Sequence, residues 1–320
     1  MSGPPGTALN VTSDATDAHT RAVAEKLECG TGSDEKTLKC LRGLSMETLL
    51  EAAMEHSVNN HPPNGLFTFI PSVDGDFIPD RHSVLYKAGR FAKGIPIVYG
   101  WTHDDGSGNA GPPSNFQTEE DMKGAFKTFV HALTDDDYTK LFSLYPASDF
   151  EEESSNYELT RRESDPPVPI PFFRVSRILR DLLFSCTSVG FGYEMSRQSK
   201  ALDPSFPGVR LYDLNQSMLT PMIAAIGMPY MGACHGSDSH YILNGLFPEG
   251  EVSESDQILS RSMAGSFINF AYNGDPAFAG DEHLDSWPES FPEPGHPGAP
   301  LPPAVNVQLS AVLWARDLAL

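Results

Sequence analysis

Basic residues are scarce in this 320-residue sequence, which carries 22 Lys and Arg against 43 Asp and Glu and a formal net charge of −21. A protein that binds nucleic acid neutralises phosphates with a basic face, and no basic cluster occurs along this chain. The composition therefore argues against nucleic acid as a partner. Hydrophobic residues make up 40% of the chain and charged residues only 20%, which indicates a folded protein with an acidic surface rather than a disordered one.

Long hydrophobic runs are also absent. A membrane-spanning helix needs about 20 consecutive apolar residues, whereas the best run, residues 94–101, is short and contains Pro96. The first 21 residues contain neither the basic start nor the apolar centre of a secretory signal. The sequence thus predicts no transmembrane segment and gives no export signal. Its length favours a single domain, residues 1–320.

Cysteine is limited to four residues. Cys29 and Cys40 enclose a short loop of turn-forming residues, which favours a loop disulfide of the kind found in oxidising compartments. The alternative is two unpaired thiols. Cys186 and Cys234 lie in apolar or glycine-rich surroundings, and the sequence does not decide whether they pair.

Two Asn-x-Ser/Thr sequons begin at Asn10 and Asn215. They would be glycosylated only if the chain enters the secretory pathway. Together with the expected disulfide they favour an extracellular protein, but the compartment stays open because no signal accompanies them.

Two extended runs are each followed by a polar loop. Residues 94–102 form a continuous apolar run, typical of a strand buried in a parallel sheet, and lead into a loop that contains Asp105. Residues 208–215 form a second extended run, which precedes the loop that contains His235. Functional side chains gather beyond the carboxyl ends of strands in open α/β sheets, so we expect Asp105 and His235 to meet.

Helical periodicity occurs on both sides of these strands. It predicts helices at residues 18–28, 44–55, 118–133, 134–145, 172–197, 255–274 and 308–318. The acidic and proline-rich stretch 149–171 is predicted to be a connector.

Several motifs, taken together, resemble the type-B carboxylesterases, the family of the fungal lipases and the cholinesterases. They are the cysteine loop 29–42, FIPSVDGDFIP at 69–79, GIPIVYGWTHDDG at 94–106, VRLYDLNQS at 209–217, GACHGSD at 232–238 and NFAYNGDP at 269–276. They follow that family's order over nearly the whole chain. The resemblance implies an α/β-hydrolase fold and hydrolysis of carboxylic esters through an acyl-serine intermediate, without metal or organic cofactor.

The resemblance assigns Asp105 as the acid and His235 as the base of a catalytic triad. The chain order of acid before histidine agrees with this fold. The family usually has Glu where this sequence has Asp105, which is one methylene shorter. The alternatives are a turn or helix-cap residue at 105 and an ordinary loop histidine at 235. A metal cluster is disfavoured because no zinc-ligand spacing occurs; it would add His103, Asp104, Asp238 and His240.

No Gly-x-Ser-x-Gly nucleophile motif occurs in the chain. Ser188 and Ser262 lack the flanking glycines, and the family's serine lies upstream of every matched motif. We therefore expect an incomplete α/β hydrolase, a single partial domain that lacks the N-terminal strands and the nucleophile elbow and has little or no esterase activity alone. A fragment of a longer gene product, a short relic, a split enzyme completed by a protein partner and a non-catalytic binding protein all stay open.

Overall fold

The computed structural model describes residues 13–30, 32–60, 68–127, 129–130, 133–243, 252–277 and 287–292. The chain divides into two compact units, one of residues 9–85 and one that comprises the rest. The single domain expected over residues 1–320 stays a prediction. Within the described ranges, no helix has the length and apolar character needed to cross a membrane. The sequon at Asn10 and the helix predicted at 308–318 lie outside those ranges.

The unit of residues 9–85 is mostly helical. Its helices are α1 (Ser13–Lys26), α2 (Asp34–Arg42) and α3 (Met46–Asn60), and α4 (His82–Lys87) begins at its end. The predicted disulfide is confirmed: Cys29 and Cys40 are bonded, with their Cα atoms 5.5 Å apart. The enclosed segment is more than a turn, because α2 starts within it with two acids in its first turn and ends before Gly43.

The second unit is organised around two parallel strands. Strand β1 (Ile97–Thr102) pairs with strand β2 (Val209–Leu214), with Ile97 opposite Val209 and Thr102 opposite Leu214. Both strands coincide with the predicted extended runs. The strands approach closely at Gly100, where an added Cβ would lie 2.0 Å from the carbonyl oxygen of Tyr212.

Helices of this unit cover both faces of the strands. They are α5 (Ser107–Ala110), α6 (Glu119–Lys127), α7 (Asp135–Leu144), α8 (Glu151–Thr160), α9 (Ile170–Arg180), α10 (Cys186–Leu202), α11 (Thr220–Ala225), α12 (Ser237–Ile242) and α13 (Glu254–Asn273). A π turn, Asp181–Ser185, joins α9 to α10.

Alternate residues of the strands face opposite helical layers. On one face, Tyr99 and Leu211 pack with Tyr193 of α10 in one apolar cluster. On the other face, Tyr212 packs in a second cluster with residues of α12 and α13. Helices on both faces of parallel strands agree with the expected α/β class.

One expectation about local structure is wrong. The acidic stretch assigned to a connector contains α8, whose first turn holds Glu151, Glu152 and Glu153. Negative charge at a helix N-terminus is favoured by the helix dipole, so these acids favour a helix start here. The helix predicted at 118–133 is also too long, since α6 ends at Lys127.

The close approach at Gly100 gives a stability prediction. We expect Gly100→Ala to destabilise the chain by about 1–3 kcal/mol or more, since the methyl group has no room between the strands. Gly124→Ala in α6 is the matched control, because nothing lies within 4 Å of its added Cβ; this change should be neutral or stabilise by up to about 1 kcal/mol. Urea unfolding of both variants measures the difference, and equal midpoints would contradict the packing described here.

Candidate active site

Asp105 occupies a tight turn at the carboxyl end of β1. Its side chain is fully buried, with 0% exposure. The backbone N–H of Thr102 donates to Oδ2 at 3.1 Å, and the N–H of Asp105 donates back to the Thr102 carbonyl at 3.2 Å. The turn thus gives one oxygen of the buried carboxylate a hydrogen-bond donor, which offsets part of the cost of removing that oxygen from water.

Gly106 lets the loop that contains Asp105 pack closely against α9. A Cβ at Gly106 would lie 2.0 Å from the carbonyl oxygen of Ser176 and 2.5 Å from the backbone nitrogen of Arg180. Only a residue without a side chain allows this approach. The glycine that follows Asp105 therefore helps to fix the position of the Asp105 backbone relative to α9.

Asp104 forms hydrogen bonds that join the loop containing Asp105 to the loop containing His235. Its backbone N–H donates to the carbonyl of Ala233 at 3.0 Å, and its Oδ2 accepts from the N–H of Ala233 at 2.9 Å. Gly232 has a φ of 59°, and a Cβ there would lie 2.1 Å from the same Oδ2. The sequence suggested Asp104 only as a possible metal ligand, so this clamp was missed.

Asp105 and His235 meet as predicted. Nδ1 of His235 lies 2.6 Å from Oδ1 of Asp105, although the residues are 130 positions apart. The shorter aspartate thus reaches the imidazole. An ionised carboxylate can only accept, so Nδ1–H donates and Nε2 is left as the free basic nitrogen.

The environment of His235 favours its protonated form. The hydrogen bond to Asp105 raises its pKa above the ordinary value, and it outweighs the opposite effect of partial burial. The side chain is 54% exposed. The pair therefore combines a buried carboxylate with an accessible imidazole.

A phenylalanine covers one face of the imidazole. The ring of Phe184 stacks on that of His235 with centroids 4.9 Å apart and an interplanar angle of 26°. Phe184 belongs to the π turn between α9 and α10. Helical periodicity does not reveal a π turn, and nothing else in the sequence singled out this residue.

The other polar residues of the two loops have structural partners. The guanidinium of Arg177 donates to Nε2 of His103 at 3.2 Å, so Nδ1–H of His103 faces Asp213 at 3.3 Å. The buried Asp238 accepts from the hydroxyl of Tyr212 at 2.7 Å. Burial and this carboxylate raise the pKa of Tyr212, which keeps the phenol a neutral donor.

The structure also places the remaining candidates. Within the described part of the chain, no group of three or more His, Cys, Asp or Glu is arranged to hold a metal ion. His240 belongs to α12, and its Nδ1 lies 3.4 Å from the carbonyl oxygen of Gly236. Ser188 and Ser262 are fully buried. Asn215 is exposed just beyond β2.

Neither remaining cysteine has the character of a nucleophile. Desolvation raises the pKa of Cys186 to about 11, and burial also raises that of Cys234. Both thiols therefore stay protonated at neutral pH, whereas the reactive form is the thiolate.

Known proteins share much of this chain. The family model described as "Carboxylesterase family" matches residues 1–296. An "inactive carboxylesterase-like protein" of Byssochlamys spectabilis is 31% identical over an alignment of 281 residues that covers 84% of this chain and 46% of that protein. A secreted lipase of Arthroderma benhamiae is 29% identical over an alignment of 295 residues that covers 90% of this chain and 47% of the lipase. The chain thus spans about half the length of these curated relatives.

The raised pKa of His235 gives a titration prediction. We expect the midpoint of His235, followed by NMR, to lie above about 6.5 and to fall in Asp105→Asn, since the amide does not stabilise the imidazolium as a carboxylate does. Asp136→Asn changes an exposed acid elsewhere and should leave the midpoint unchanged. Because the folded pKa is raised, the associated stability is present below about pH 6.5 and is lost as the pH rises through the folded pKa. An unchanged midpoint in Asp105→Asn would contradict the pairing.

Proposed function

Because the chain belongs to the carboxylesterase family, whose fold is the α/β hydrolase, we propose that it carries the acid and the base of a carboxylic-ester hydrolase. Asp105 is the acid and His235 is the base. The 2.6 Å hydrogen bond between their side chains carries the proposal. Its support is the geometry itself: one buried carboxylate and one accessible imidazole, whose Nδ1 edge faces the carboxylate and whose Nε2 is the basic nitrogen.

The proposed chemistry follows from this geometry. Nε2 of His235 takes the proton of a serine hydroxyl as the serine oxygen attacks the ester carbonyl. The same nitrogen then returns the proton to the departing alcohol. Asp105 holds the imidazole in the Nδ1–H tautomer and stabilises the imidazolium between these steps. In the second half of the reaction Nε2 takes a proton from water as the water oxygen attacks the acyl carbonyl. The bond to the serine oxygen then breaks, the proton returns to that oxygen, and the acid product leaves.

The nucleophile is the part of the triad that these 320 residues do not supply as a Gly-x-Ser-x-Gly turn. The structure gives Nε2 of His235 no hydrogen bond to a serine within its described residues. We propose that the serine and its oxyanion donors come from sequence outside this chain. The chain would then be a partial α/β-hydrolase domain, and its ester substrate would bind only once the domain is complete.

A second candidate function is non-catalytic binding. It is favoured by the name of the Byssochlamys spectabilis relative, which describes that protein as inactive. The same fold can serve different functions, and the net charge of −21 suits a basic protein partner. Recovery of a stoichiometric partner whose complex hydrolyses no ester would favour this function over a split esterase.

The chain alone should be inactive. We expect the purified protein to hydrolyse a short p-nitrophenyl ester no faster than its His235→Gln variant, because a base without a nucleophile and oxyanion donors contributes little. The absorbance of released p-nitrophenol measures the rate of hydrolysis for both proteins. Hydrolysis at a typical enzymatic rate that disappears in His235→Gln would show that the chain contains its own nucleophile.

A chimera tests the pair itself. The chain replaces the matching part of the Arthroderma benhamiae secreted lipase, which supplies the missing residues. We expect the chimera to hydrolyse p-nitrophenyl esters, and we expect Asp105→Asn or His235→Gln to lower kcat by up to about 10⁴-fold. Asp136→Asn should have no effect. A folded chimera whose activity does not depend on His235 would contradict the proposed role, and a folded inactive chimera would favour the binding function.

A further inference from the structure

The helix that faces the candidate site changes its winding beside His235. Between α9 and α10, the N–H of Cys186 donates to the carbonyl of Asp181, five residues earlier, in place of the usual four. Such π turns are rare and often occur at functional sites, since the wider turn changes where side chains point. In this turn the side chain of Phe184 meets the imidazole of His235.

Two contacts that His235 makes with described residues constrain different features of its ring. The hydrogen bond to Asp105 holds the Nδ1 edge, but a single bond leaves the plane of the ring free to rotate. The stack on Phe184, at 4.9 Å and 26°, fixes that plane. The His235 side chain is 54% exposed, and solvent on its open side does not restrict rotation of the ring. The stack on Phe184 supplies that restriction.

Phe184 is itself held in place. It packs against the apolar cluster that contains Trp101 of β1. The first residue of the π turn, Asp181, accepts from the hydroxyl of Tyr145 at 2.8 Å and from Nε of Arg180 at 2.7 Å. The aromatic face that meets the imidazole therefore belongs to an anchored turn.

We propose that Phe184 is a positioning residue for His235. By holding the plane of the imidazole it keeps Nδ1–H on Asp105 and keeps Nε2 aimed at the reacting hydroxyl. The inference rests on the proposed role of His235 as the base. Its test observes the imidazole directly and requires no ester hydrolysis, so its failure can be distinguished from failure of the proposed function.

The test measures the tautomer of His235. Long-range ¹H–¹⁵N NMR through the carbon-bound ring protons, at a pH where the ring is neutral, gives the ratio of Nε2–H to Nδ1–H forms; His235→Gln assigns the signals. We expect the intact chain to hold the Nδ1–H form. In Phe184→Ala the ratio of Nε2–H to Nδ1–H should rise roughly three- to tenfold, the range expected from the loss of one aromatic pair.

Phe191→Ala is the matched control. Phe191 lies about two turns further along the helix and packs edge-on against Tyr86 and Phe91 rather than against His235. This variant removes the same type of side chain from α10, which directly follows the π turn. Its tautomer ratio should equal that of the intact chain, and a rise equal to that of Phe184→Ala would overturn the proposal by showing a general loosening.

Two further variants keep the test decisive if Phe184→Ala does not fold. Phe184→Tyr retains the aromatic face and should retain the Nδ1–H form. Phe184→Leu retains apolar volume but has no flat face, so it should show the raised ratio. A folded Phe184→Leu or Phe184→Ala chain with an unchanged ratio overturns the proposal.

Discussion

The parallel pairing of β1 with β2 is the constraint on which the candidate site depends. Because the strands run in the same direction without an offset, their carboxyl ends lie together. The pairing continues past the strands: the N–H of His103 donates to the Leu214 carbonyl at 2.8 Å, and Asp104 forms a bridge with Cys234. Asp104 and Cys234, which pair through their backbones, directly precede Asp105 and His235. Their pairing therefore fixes the backbone positions from which the two side chains make their 2.6 Å contact.

The helices around this edge of the strands position the loop that contains Asp105 and the ring of His235. Glycine at position 106 lets the acid-bearing loop rest on α9, while the π turn presents Phe184 to the imidazole. Arg180 links the two, because it binds Asp181 of the π turn and donates to the carbonyl of His103. Burial keeps the carboxylate of Asp105 away from water, and exposure leaves His235 accessible. This asymmetry is what a base that must exchange protons with a substrate requires.

The sequence predicted the parts of this arrangement that depend on local pattern. A continuous apolar run identified β1, and the polar loops after the strands brought Asp105 and His235 together by the general rule for α/β sheets. The rest depends on geometry that a linear pattern does not encode. The π turn that brings Phe184 to His235 follows from no residue pattern in the chain, and the clamp by Asp104 exists only once the two loops are adjacent. The helix α8 was missed because three consecutive acids suggested a solvated connector.

We propose that the chain holds the acid and the base of an ester hydrolase but not its nucleophile. Labelling of the purified chain with a fluorophosphonate probe, followed by mass mapping, distinguishes this from a complete triad. We predict a chain that is folded by circular dichroism and contains no labelled serine. Stoichiometric labelling of one serine, lost in His235→Gln, would contradict the claim by showing that the chain contains a complete triad.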